Sequence, residues 1–321
     1  MRKTNRKLVI VGAGHVGSAV LNCALNFDLA DEIAIIDIIN KKAHGEALDS
    51  CHALPFPYNT NVNIHEGVEE DYKDADLIII AAGPSIVPGE NLDRLTLAAR
   101  NVEVINDVMS KITKQTREAI VIMITNPLDI TTYYAATSFG YPKDRLFGTG
   151  TTLETARLKQ ILASKYQIDP KDVHGYMLGE HGNSAFPAWS LTNIAGIGAE
   201  QLDEFFQSAT PLDKEAIAPA VVNVAYDVLM SKGWTNSGIA MGACRLAKAV
   251  LWNERCIMPV STVLEGEYGL SNVALSIPCI IGANGVERRL EMKLTEQEVE
   301  KLHNSANCIR AVLKSVNLIK E

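Results

Sequence analysis

The apolar stretch Leu8-Val-Ile-Val11 runs directly into Gly12-Ala-Gly-His-Val-Gly17, and from there into a helical period over Val16–Phe27. Few folds accept that succession. A G-x-G-x-x-G turn between strand and helix uses its first glycine for a tight turn and its second for close approach of a ligand to the backbone. The third allows close helix–strand packing, and the helix N-terminus favours anionic phosphates. Four more apolar runs follow, Ile33–Asp37, Val62–His65, Leu77–Ala82 and Ile120–Thr125, with helical patterns over Lys42–Cys51 and Leu95–Ile112. Most of these runs are apolar throughout, as in parallel strands buried on both faces. Their alternation with helices predicts right-handed βαβ crossovers in an open sheet.

Beyond this region the pattern changes. Helices are predicted over Leu153–Lys165, Pro211–Met230 and Thr235–Trp252, the last two joined at Lys232-Gly233 with glycine as C-cap. A strand is predicted over Val173–Leu178, hairpin-like strands over Ile257–Leu264 and Val273–Ile281, and a final helix after Thr295-Glu-Gln-Glu298. The expected architecture is α/β: a Rossmann-type parallel-sheet domain over residues 1–147, then an α+β domain over residues 148–321. No low-complexity linker separates them, so a shared core is expected.

Asp37 narrows the ligand. It closes the second predicted strand, twenty residues after Gly17, where an acid accepts hydrogen bonds from ribose hydroxyls. A carboxylate there repels an additional ribose phosphate, which favours NAD over NADP. Lys42 is placed either toward the adenosine side or as a solvated helix lysine.

A net charge of -8, with Lys and Arg scattered, argues against a nucleic-acid partner. The six cysteines include no C-x-x-C pair, which suits reduced thiols of a cytoplasmic protein and no metal site. The basic Met1–Lys7 segment precedes an apolar run too short for a signal peptide, and no stretch has the length of a membrane span.

Proton chemistry has few candidates. His181 lies in Gly179-Glu-His-Gly-Asn-Ser184, where glycines let a ligand approach, although a lone histidine is more often structural. Glu154 and Arg157 share a helix face, either as a surface ion pair or as a divided pair. In the second case Arg157 grips a carboxylate and Glu154 orients the imidazole. Arg94 follows Pro88-Gly-Glu90 in a turn-rich loop of the kind that closes as a lid. Asn126 ends a strand on the ligand-binding edge of the sheet, within reach of substrate or cofactor.

Together these segments resemble the L-lactate and malate dehydrogenase superfamily. The likeness is carried by Val11–Gly17, Ala82-Gly83, Pro88–Glu90, Thr125-Asn-Pro127, Gly148-Thr-Gly-Thr151, Leu153-Glu-Thr-Ala-Arg157, Gly179–Gly182 and Pro259-Val-Ser-Thr262. The resemblance implies His181 as acid/base, oriented by Glu154, Arg157 as the carboxylate anchor and Arg94 as the lid arginine. Asn126, Thr235, Ile86, Gly238 and Ile239 are implied around the substrate. Gly12, Gly14, Val16, Gly17, Asp37, Lys42, Gly83, Pro84, Thr125, Asn126 and Thr149 are implied along NAD. It implies reduction of a small 2-oxo acid to an L-2-hydroxy acid by a homotetramer or homodimer.

Three departures stand out. Glu154 replaces the usual aspartate, the Gly83–Arg94 loop is longer than in ordinary lactate dehydrogenases, and Ile86 stands where lactate enzymes carry glutamine and malate enzymes arginine. Without a cation at 86 a second carboxylate lacks a partner, which disfavours oxaloacetate. Lactate dehydrogenase is the leading expectation. L-2-hydroxyisocaproate dehydrogenase, acting on branched or aromatic 2-oxo acids, is the alternative, ahead of malate dehydrogenase or a non-catalytic NAD sensor. His174 and Lys159 match an anion site for fructose bisphosphate in activated relatives. Lysine in place of arginine there implies weak or absent activation.

Overall fold

The computed structural model describes residues 5–56, 61–85 and 94–319, with Arg94 described by its backbone. One sheet carries the fold. Its nine strands, numbered in chain order, are β1 (Lys7–Val11), β2 (Glu32–Ile36), β3 (Asn63–Glu66), β4 (Leu77–Ile80), β5 (Ile120–Met123), β6 (Leu146–Gly148), β7 (Cys256–Glu265), β8 (Ser271–Gly282) and β9 (Gly285–Arg289). They lie in the order β9-β8-β7-β6-β5-β4-β1-β2-β3. The first six pair in parallel. The last three form an antiparallel meander that joins the parallel part where Ser261 pairs with Gly148. Every residue of β4 and β5 is buried, which is why those runs lack polar alternation.

The main helices are α1 (His15–Asn26), α2 (Asn40–Cys51), α3 (Arg94–Gln115), α4 (Leu128–Ser138), α5 (Thr152–Tyr166), α6 (Lys214–Lys232), α7 (Ser237–Leu251) and α8 (Glu296–Ser315). Helix α6 starts at Lys214 rather than at Pro211 because the Asp213 carboxylate caps the backbone N–H groups of Glu215 and Ala216. Gly233 ends it with φ +86°, the C-cap expected of that glycine. Asn236 caps α7 through the Ser237 N–H, and Thr295 with Glu298 forms a capping box on α8.

Three of these elements were not predicted: α4, β6 and the five-residue β9. Helix α4 buries eight of its eleven residues, so no polar face reveals its period. Strand β6 is only three residues long. One prediction is corrected: Val173–Leu178 is two short strands, Val173–His174 and Met177–Leu178, in different small sheets. The break falls at Gly175, where a Cβ would lie 2.9 Å from the Thr192 hydroxyl.

The core does not stop at the midpoint of the chain. A single buried cluster runs from Leu8 and Ile10 of β1 through Ala243 and Ala247 of α7 to Leu275 and Ile277 of β8. Helix α1, which opens from the glycine turn, packs directly on α7. Strand order reverses between β1 and β4, the switch point at which open α/β sheets hold ligands beyond the strands' carboxyl ends. Away from that crevice Glu32, His65 and Asp71 converge. The Lys7 ammonium already lies 2.8 Å from Asp71 and 3.0 Å from Glu32.

Candidate active site

The glycines after β1 differ in what they allow. Gly12 has φ +101°, and a Cβ there would lie 2.8 Å from the Ala81–Ala82 backbone. A Cβ on Gly17 would come within 1.7 Å of the Gly12 carbonyl oxygen, so this glycine is demanded by the turn itself. A Cβ on Gly14 would meet nothing within 4 Å among the described residues. The turn is closed underneath and open above Gly14, at the N-terminus of α1, where phosphate binds best.

Asp37 stands one residue past β2. Its Oδ2 accepts from the Ala13 N–H at 2.7 Å and its Oδ1 from the Ile39 N–H at 2.9 Å, which ties the glycine turn to the end of β2. Each oxygen retains a lone pair for a hydroxyl donor. Beside it Ile38 is 92% exposed, an apolar surface suited to a flat base. Lys42 is exposed on α2 and Val16 is half-buried in the first turn of α1. Across the switch point Gly83 has φ +127°, followed by exposed Pro84. The Thr125 hydroxyl donates to the Ala82 carbonyl at 2.7 Å, and the buried Thr149 hydroxyl has no hydrogen-bond partner among the described residues. Open space over Gly14, an acid at the strand end and an orphaned hydroxyl across the crevice together fit a dinucleotide.

The proton-transfer candidates converge. His181 Nδ1 lies 2.8 Å from Glu154 Oε1, in an angled contact rather than a straight hydrogen bond. The longer side chain of glutamate therefore still reaches the imidazole. Glu154 Oε1 is also 3.9 Å from Arg157 Nη1, so one buried carboxylate faces two potential cations. Burial opposes charge on His181, but the Glu154 carboxylate and then Asp129 outweigh it and hold the imidazole above the ordinary histidine range. Burial likewise opposes ionisation of Glu154, and the His181 charge overcomes it, keeping the carboxyl below its usual range. Arg157 is lowered by burial, with Glu154 opposing.

Other candidates are placed less decisively. Asn126, at the cis Asn126–Pro127 peptide, is exposed beyond β5. Thr235 is half-buried just before α7, and Ile239 is buried. A Cβ on Gly238 would meet Leu153 Cδ1 at 2.8 Å, so this glycine makes room for the residue preceding Glu154. Ile86, Pro88–Glu90 and the Arg94 side chain lie outside the described residues. Lys159 is half-buried, its charge opposed by burial, while His174 is exposed at the end of its short strand.

Residues 6–148 match the model of the lactate/malate dehydrogenase NAD binding domain, and residues 151–318 match that of the lactate/malate dehydrogenase alpha/beta C-terminal domain. The chain belongs to the lactate/malate dehydrogenase family. Within that family it is 52% identical over 313 residues to an L-lactate dehydrogenase of Selenomonas ruminantium, covering 98% of both chains. It is 51% identical over 320 residues to L-lactate dehydrogenase 2 of Clostridium acetobutylicum, covering 100% of both. Among solved structures, the minor L-lactate dehydrogenase of Enterococcus mundtii in ligands-bound form superposes with a TM-score of 0.92 at 37% identity, covering 98% of this chain and 99% of that one.

In this family member, sequence reasoning missed two buried polar residues beside the crevice. Asn101 of α3, fully buried, donates to the carbonyls of Pro84 (3.0 Å) and Asn126 (2.5 Å), joining the ends of β4 and β5. Asp129 of α4 accepts from the His181 backbone N–H. Asn101 sits inside a helical period and Asp129 in a helix that the sequence did not announce. The only available signal was a polar residue at an otherwise apolar position.

Proposed function

We propose that this protein is an NAD-dependent L-lactate dehydrogenase that reduces pyruvate to L-lactate, with His181 as proton donor and Arg157 as carboxylate anchor. The observation that carries this reading is the pairing of His181 with Glu154 at 2.8 Å, with Arg157 on the same buried carboxylate, in a chain whose first half is the family's NAD-binding domain. NADH seated along the glycine turn, Asp37 and Thr149 would supply the hydride. Arg157 would hold the substrate carboxylate, fixing the carbonyl against His181. Glu154 keeps the imidazole protonated, so that His181 donates its proton as negative charge develops on the carbonyl oxygen. Arg94, the first residue of α3, is assigned to polarise that oxygen, and Asn126 and Thr235 to line the pocket with Ile86, Gly238 and Ile239. The names of relatives across the full length, L-lactate dehydrogenase in each case quoted, support pyruvate as substrate.

The same reading divides the chain into a cofactor half (residues 1–147) and a substrate half (residues 148–321), and assigns a cytoplasmic homotetramer or homodimer. Among the described residues no helix is long and apolar enough to cross a membrane. Exposed Leu48 of α2 and Met241 of α7 support self-association. The Lys159–His174 pair is assigned at most weak activation by fructose bisphosphate.

The test is NADH oxidation with pyruvate, 2-oxoisocaproate, phenylpyruvate and oxaloacetate, compared as kcat/KM. Pyruvate is expected to lead. A lead for either bulky acid would shift the assignment to a hydroxyisocaproate enzyme, and efficient oxaloacetate reduction would overturn the inference from Ile86. His181→Asn should remove turnover by about a thousandfold while leaving NADH binding intact; a protein that only senses NAD would show no turnover before the substitution.

A further inference from the structure

Beneath His181 lies a second carboxylate that the mechanism above does not use. Asp129 is 3% exposed, in the first turn of α4. Its Oδ2 accepts the backbone N–H of His181 at 2.7 Å and its Oδ1 accepts the Ser261 hydroxyl of β7 at 2.6 Å. One side chain therefore ties together α4, the antiparallel meander and the loop that carries the imidazole. Gly179, two residues before His181, is pinned from the other side by reciprocal backbone bonds with Ser276 of β8. A cavity of about 10 Å³ is lined by Asp129, Glu180 and His181, with Ile309 and Val312 of α8 on its wall. It has room for one water at most, and the carboxylate beside it is almost fully buried.

Resting on the reading of His181 as proton donor, we infer that Asp129 is a positioning residue that fixes the His181 loop against the sheet and sets a second negative charge beneath the imidazole. The charged groups facing His181 are Glu154 and Arg157 from α5, Asp129 from α4 and Glu180 from its own loop; α8 contributes apolar groups to the cavity. Glu154 contacts the ring directly, whereas Asp129 bonds the backbone N–H and reaches the ring through its charge alone. Burial pushes the Asp129 carboxyl up to about 6, with Ser261 and His181 holding it from rising further. Its charge is thus present at neutral pH and fades in mild acid.

Asp129→Asn separates charge from geometry. The amide oxygen can still accept from the His181 N–H and the amide N–H can donate to Ser261, while the charge is gone. Carbethoxylation of His181 by diethyl pyrocarbonate, followed by peptide mass spectrometry against pH, reads the imidazole midpoint whether or not the protein reduces pyruvate. The midpoint in Asp129→Asn is expected about half a pH unit below that of the parent, with NADH affinity within about twofold. Ser261→Ala keeps the charged group but removes a bond that holds it ionised, and should shift the midpoint in the same direction by less. It decides the matter alone if Asp129→Asn does not fold. A parental midpoint in every folded variant overturns the inference. Loss of NADH binding in Asp129→Asn would also overturn it, because the effect would then be on the fold at large.

Discussion

At the scale of single residues, the chemistry turns on one buried carboxylate with two cationic neighbours. Glu154 stabilises imidazolium at His181, so pyruvate reduction should be full at low pH and lost as pH rises through a midpoint above the usual histidine range. In Glu154→Gln that midpoint should fall toward acid, and kcat/KM measured across pH would register the displacement; an unmoved midpoint would mean that the 2.8 Å contact has no electrostatic consequence. Arg157 is proposed for a different task. Arg157→Lys keeps the charge but forfeits the two-pronged grip, a loss of about 2 kcal/mol or roughly a 30-fold rise in pyruvate KM. Steady-state kinetics at fixed saturating NADH would check it, and a KM within threefold of the parent would remove Arg157 from the anchor role.

Among elements, the turn from β1 into α1 combines structural and functional glycines. Gly14 has φ -81° and open space around it, so Gly14→Ala should leave thermal stability unchanged while a methyl group obstructs the phosphate site. A tenfold weakening of NADH binding, about 1.4 kcal/mol, is expected by fluorescence titration. Gly17→Ala should act the other way round: its Cβ has no place 1.7 Å from a carbonyl oxygen, so the turn must open and Tm must fall. Equal Tm values for the two variants would contradict this division. The pattern of glycines and the place of the second one beside the ligand were legible in the sequence; that Gly12 is closed off by Ala81 and Ala82, at the end of a strand far along the chain, was not.

For the molecule as a whole, the sheet is continuous through the Gly148–Ser261 pairing, and one buried cluster spans both halves. The protein should therefore unfold in one calorimetric transition, displaced as a unit by NADH. Two transitions, of which NADH moves only the first, would show that the halves are energetically separate. The helix contact of α1 with α7 adds to this unity, since the helix that opens from the glycine turn packs on the helix that follows Thr235.

Local pattern was enough to determine the parallel sheet, the glycine turn, Asp37 at the end of β2 and the family to which the chain belongs. Apolar runs, glycine spacing and a carboxylate at a strand end act through near neighbours, and near neighbours are what a sequence displays. The hidden features depend on distant partners. Helix α4 is buried nearly all round and shows no amphipathic period. Asn101 bridges two strand ends, and Glu154 reaches His181 across 27 residues of chain. Asp129 takes its two donors from positions 52 and 132 residues away. Only the folded chain brings those groups together, because burial and charge separation are properties of space rather than of sequence order.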